Sequence, residues 1–146
     1  MADLTPLDLS TLSNELRLAF YGALFSMSNA DRDMDEAEDD RIFESLDLSD
    51  LDSESRTKIL RLAIDPPPLE RGLLAFRGES ESLRRALMLN LIDVVLADGI
   101  IEPGEHVGLH EARQVLGLSR DVVSELHDIA HDAQSVENLS RPIQPA

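Results

Sequence analysis

The segment ADRDMDEAE at residues 30–38 returns 67 residues later as ADGIIEPGE at residues 97–105. Both copies read Ala-Asp, then an acid four residues after the Asp, then a Glu three residues beyond. Asp31, Asp35 and Glu38 thus correspond to Asp98, Glu102 and Glu105. Carboxylates gathered in loops between helices are the oxygen ligands that hard divalent cations such as calcium and magnesium take. The same spacing has a structural use. An acid just before a helix accepts its first amide hydrogens, and a Glu three residues on reaches back to close a capping box. Asp35 with Glu38 and Glu102 with Glu105 have that spacing, Pro103 stands where a first helical residue should, and Asp98-Gly99 is an ordinary turn pair.

Capping leaves two features over. Glu105 lies four, seven and eleven residues before Leu109, Ala112 and Leu116, so it points along the apolar stripe of the helix it opens. Glu38 stands in the same relation to Ile42 and Leu46. Asp31 and Asp98 fall at helix C-terminal ends, where free carbonyls already make the potential negative and an acid is unfavourable without a cation nearby. A divalent ion held between loop acids and carbonyl oxygens satisfies both oddities. It is not held in an EF-hand: counting from Asp31, the sixth position is Glu36 rather than Gly, the eighth is Glu38 and the twelfth is Ile42.

The four histidines form two pairs one helical turn apart, His106 with His110 and His127 with His131. Imidazoles so spaced can share zinc or nickel. In an antiparallel hairpin turning at Leu118–Ser119, His110 would be level with His127 and His106 with His131; whether the pairs converge depends on the hand of the hairpin. A polar surface stripe with Arg113, Asp128 and Asp132 is the simpler reading. HVGLHE is not the zinc-protease signature, since Val107 stands where the catalytic Glu belongs.

Helical periodicity supplies the elements that position these groups. Leu12, Leu16, Ala19, Phe20, Ala23, Leu24 and Met27 recur at three- and four-residue steps along a first helix over 13–28. Ile42, Phe43 and Leu46 mark a short second helix, and Ile59, Leu60 and Ala63 a third over 53–64, stopped by Pro66-Pro67-Pro68. LERGLLAF is a fourth, ending at Gly78. The fifth, LRRALMLNLIDVVL, is capped by Ser80 and apolar almost all round after its first turn, as a helix surrounded by others must be. A sixth spans 103–116 and closes at Gly117. The seventh follows the cap Ser119, with Val122, Leu126, Ile129, Ala130 and Ala133 on one stripe. No segment has the alternation of a strand. The expected fold class is all-α, a compact bundle of about seven helices built as two related helical halves around the central apolar fifth helix.

Composition narrows the function classes. The 146 residues suffice for one domain with its own core. Without cysteine there is no disulfide, thiolate zinc site or cysteine nucleophile. Thirteen basic residues against 29 acidic ones leave a net charge of −16, which repels nucleic-acid phosphates and anionic lipid surfaces. Residues 31–54 alone hold twelve acids and two arginines. That run would also suit an acidic decoy for a basic partner. The N-terminus has no signal-peptide character and no apolar run reaches membrane-spanning length, so a cytoplasmic protein without direct membrane insertion is expected. GIIEPGE lacks the Lys and glycine spacing of a phosphate loop and no serine sits in a nucleophile motif, so a non-enzymatic protein is expected.

The stretch LIDVVLADGIIEPGEHVGLHEARQVLGLS joins an apolar helix ending in Ala-Asp-Gly, an acid, a Glu three further on and a helix closing in Leu-Gly-Leu. It resembles the tellurite-resistance TerB-like family, and the similarity runs over roughly residues 16–133. The resemblance implies a single helical domain over 10–139, and the ends outside it are expected from the sequence to be a flexible N-terminus at 1–9 and a flexible tail at 140–146. It also implies a bacterial stress-response role through protein partners, a membrane-associated complex among them. Asp31, Asp35, Glu38, Asp98, Glu102 and Glu105 become its metal ligands, with calcium the first candidate ion and magnesium or zinc the others. In the first copy Arg32 replaces the Gly and Asp33 is added, a departure from the pattern. The alternative function is a metal-independent acidic interaction domain whose loop acids only cap helices.

Overall fold

The computed structural model describes residues 4–6, 12–28, 51–96, 103–133 and 143–145. Six helices lie among them: α1 Asn14–Ser28, α2 Ser53–Ile64, α3 Leu69–Phe76, α4 Glu81–Val95, α5 Pro103–Leu116 and α6 Arg120–Ala133. The fold is an all-helical bundle, and no helix among the described residues is long and apolar enough to cross a membrane. The short helix expected around Ile42, Phe43 and Leu46 lies outside the described residues.

Four of the six helices, α1, α2, α4 and α6, start where a side chain takes up one of their first amide hydrogens, whereas α3 starts at Pro68 without such a cap. Ser13 Oγ accepts the Leu16 amide at 3.1 Å, Ser80 Oγ the Leu83 amide at 3.2 Å and Ser119 Oγ the Val122 amide at 3.1 Å. Asp52 Oδ1 does the same for Ser55 at 2.7 Å, a cap that the serine-led reading passed over. The chain leaves α5 through Gly117 at φ 67, in the left-handed region that a side chain resists, and the Leu118 amide donates back to Arg113 O at 3.1 Å. Arg84 fastens that end: its Nη1 donates to Leu116 O at 2.6 Å and its Nε to Glu79 O at 3.1 Å.

Two helices act as hubs. Residues Ala86–Val95 of α4 are buried without a break, and α1, α3, α5 and α6 all pack on α4, which makes it the central helix expected from its apolar circumference. α1, buried from Phe20 to Phe25, carries α2 and α3 on its other flank. Phe20 meets Tyr21 edge to face at 5.3 Å between ring centres and Phe76 of α3 at 6.3 Å. Burying a ring of this size contributes roughly 1.5–3 kcal/mol. Close approach of α3 to α1 requires Gly72, since a Cβ there would lie 2.7 Å from Ala19 O and 2.9 Å from Ala23 Cβ.

Three features of the packing were not readable in the sequence. α2 and α3 are successive helices that both rest on α1 yet make little contact with each other. α5 and α6 likewise splay onto α4 instead of lying side by side as an antiparallel hairpin. The terminal segments, expected as loose ends without strands, contribute β1 Leu4–Pro6 and β2 Ile143–Pro145. These pair antiparallel, with Thr5 opposite Gln144, and β2 runs against α4. Three-residue strands each ending in proline have no readable alternation, so a tertiary contact made this ladder invisible in the sequence.

Candidate functional site

Of the six candidate ligands, Glu105 is the one within the described residues; Asp31, Asp35, Glu38, Asp98 and Glu102 lie outside them. Glu105 is 2% exposed, in the first turn of α5. The helix phase explains this: Gly108, Leu109, Ala112 and Leu116 are the buried residues that follow it on the same stripe. A carboxylate has therefore been drawn out of water at the point where the chain leaves the second acidic segment, and burial of a charge is costly unless it is paired or bound to an ion.

The elements that lead into and out of the two acidic segments are neighbours. α1 runs directly into the first segment, and α5 begins at its end of the second. A Cβ on Gly108 would stand 3.0 Å from both Sδ and Cε of Met27, so the last turn of α1 packs on the second turn of α5. Ser28, at the end of α1, is itself buried and donates from Oγ to Phe25 O at 3.1 Å.

Besides Ser28, three further buried polar residues escaped the sequence reading. Arg17 is 1% exposed within α1, beside a small cavity of about 160 Å³ that Leu51 and Ile59 also line. Its place was readable in principle, since it precedes Phe20, Tyr21 and Leu24 by three, four and seven residues. Asn90 and Asp93 are buried one turn apart on α4, and Asn90 Nδ2 donates to Ala86 O at 2.7 Å. Their signal was polarity inside an otherwise apolar segment.

The two histidine pairs lie near enough to interact: His127 of α6 feels the charge of His106 on α5. Partial burial, first, and then His106 lower the His127 pKa below its ordinary 6.5, and the neighbouring Asp128 carboxylate opposes them. Among the described residues no group of three or more His, Asp or Glu side chains is placed to hold a metal ion. No protein-family model, no curated protein and no solved structure matches the chain.

Proposed function

We propose that this chain is a non-enzymatic, TerB-like helical module of the tellurite-resistance kind. In this reading it binds a divalent cation through its acidic interhelical segments and presents the charged surface to partner proteins in a bacterial stress response. The ligands are Asp31, Asp35 and Glu38 from the first segment and Asp98, Glu102 and Glu105 from the second, with calcium as the ion and magnesium or zinc as competitors. The duplicated spacing of the acids supports two related helical halves, each contributing one segment. The observation that carries the reading is Glu105, an acid 2% exposed at the head of α5, beside the helix that leads into the other acidic segment.

A metal-independent acidic interaction domain is the second reading, and a specific observation favours it. Asp52, near the end of the densest acidic run, caps α2 through the Ser55 amide at 2.7 Å, and that hydrogen bond holds its pKa below the usual carboxylate value. Acids before helices in this chain can therefore serve as caps alone. Thermal unfolding of chelator-stripped protein separates the readings, because an ion that binds only the native state raises the midpoint. A saturable rise with calcium that Asp31→Asn or Asp98→Asn abolishes supports the cation site. A rise with zinc alone points to the histidines, and no shift with any of the three ions at millimolar concentration leaves the acids as caps.

A further inference from the structure

A cleft of about 480 Å³ opens between α2 and α3 over the flank of α1. It exists because the two helices both sit on α1 without packing on each other. Pro67 belongs to the lining, and a Cβ on Gly22 of α1 would lie 3.0 Å from Pro67 Cγ, so the connector rests directly on that helix. Leu18, Ala19, Leu62, Gly72 and Ala75 complete an apolar lining.

The rim carries the opposite sign to the protein. In a chain with 29 acids and 13 basic residues, Lys58, Arg61 and Arg71 border this one cleft against a single acid, Glu15. Arg61 and Arg71 are exposed and form no ion pair and no side-chain hydrogen bond among the described residues. Lys58 has a 3.5 Å surface pairing with Glu54 one turn away on the same helix, a contact readily given up. Arg71 stands beside Glu70 in the first turn of α3, at the positive end of the helix.

We propose that this cleft binds a small amphiphilic anion, an aliphatic carboxylate whose tail lies on the Leu18–Leu62–Ala75 surface and whose head is held by Arg61 and Arg71. Guanidinium groups bind carboxylates through paired, charge-assisted hydrogen bonds, and an apolar pocket with a few polar groups at its mouth is the usual form of a small-molecule site. The volume falls within the range of about 300–1,000 Å³ that such sites occupy. An acidic helix from a partner protein is the competing occupant.

The test is calorimetric titration of the whole chain, in chelator, with dodecanoate below its micelle concentration, beside decanol and dodecyltrimethylammonium. Chelator makes the result independent of the proposed cation site. The expected result is saturable one-to-one binding of dodecanoate, weak or absent binding of the other two, and perturbation of the Leu18 and Leu62 methyl resonances. Arg61→Gln and Arg71→Gln each weaken dodecanoate by about tenfold or more, the value of a charge-assisted hydrogen bond. Ala75→Trp, at an exposed position on the cleft wall, abolishes binding without changing the far-ultraviolet circular dichroism. Equal affinity for decanol, undiminished affinity in the arginine variants, resonance changes elsewhere, or no saturable binding overturns the proposal. So does binding of an acidic amphipathic peptide in the cleft by a protein that ignores dodecanoate.

Discussion

Replacing Gly72 by alanine tests how α3 is seated on α1. The new Cβ would stand 2.7 Å from Ala19 O, 2.9 Å from Ala23 Cβ and 3.4 Å from the Ala23 amide nitrogen. A carbon approaching a carbonyl oxygen settles at about 3.3–3.6 Å, so α3 must withdraw by roughly 0.6 Å or more. Two of the three atoms in the way belong to the backbone of α1 and cannot rotate aside. Overpacking of this kind costs about 1–3 kcal/mol, against which alanine's helix propensity returns up to about 1 kcal/mol. With rigid backbone at 2.7 Å the cost lies in the upper part of that range, about 2–3 kcal/mol, so the net loss is about 1–2 kcal/mol, a fall in Tm of several degrees for a chain of this size. Two other glycines calibrate the result. At Gly108 the added methyl meets mainly the flexible end of Met27, and at Gly78 it meets nothing within 4 Å. Urea unfolding followed by circular dichroism should rank the losses Gly72→Ala, then Gly108→Ala, then Gly78→Ala, the last within about 0.5 kcal/mol of wild type. If Gly72→Ala matched wild type in stability, α3 would not rest on α1 at this point, and the cleft walls drawn above would be wrong.

Further expectations concern the helix ends and the histidines. Ser80→Ala should lower stability by about 1 kcal/mol in the same assay, because the Leu83 amide at the start of the central helix loses its acceptor. Arg84→Met should cost about 1.5–3 kcal/mol by removing a charged donor from Leu116 O and Glu79 O; a smaller loss would mean that water replaces the guanidinium at the end of α5. His127 has a folded-state pKa below its ordinary 6.5, through burial and the charge of His106. The unfolded chain then takes up more protons near that pH, so stability is full above 6.5 and declines as pH falls through it. His127→Gln should flatten the pH dependence of unfolding measured on either side of 6.5, and an unchanged slope would place the titrating group elsewhere.

Local rules made much of this fold readable before any coordinates. The three- and four-residue steps of Phe20, Ala23, Leu24 and Met27 located α1, and the predominantly apolar run after Arg85 identified α4 as central. Ser80, Ser119 and Gly117 set helix ends through bonds within a turn of their own positions. The burial of Glu105 followed from counting 3.6 residues per turn back from Leu109 and Ala112. What escaped was set by relations between helices. The splay of α2 from α3 and of α5 from α6 depends on which stripe each presents to a hub, and no connector sequence encodes that angle. Which histidines of the two pairs meet stayed open for that reason, and the Lys58–Arg61–Arg71 rim was not recognised as one site. Arg17, Asn90 and Asp93 escaped by a different route: polar types on buried faces run against the burial rule that located their neighbours.

The measurement closest to the central claim is the heat of calcium binding to chelator-stripped protein, compared with Asp98→Asn and Glu105→Gln variants whose circular dichroism is unchanged. The account predicts a saturable heat in the wild type that either substitution removes. Heats no different from dilution at millimolar calcium, or a wild-type isotherm retained by both variants, would contradict it.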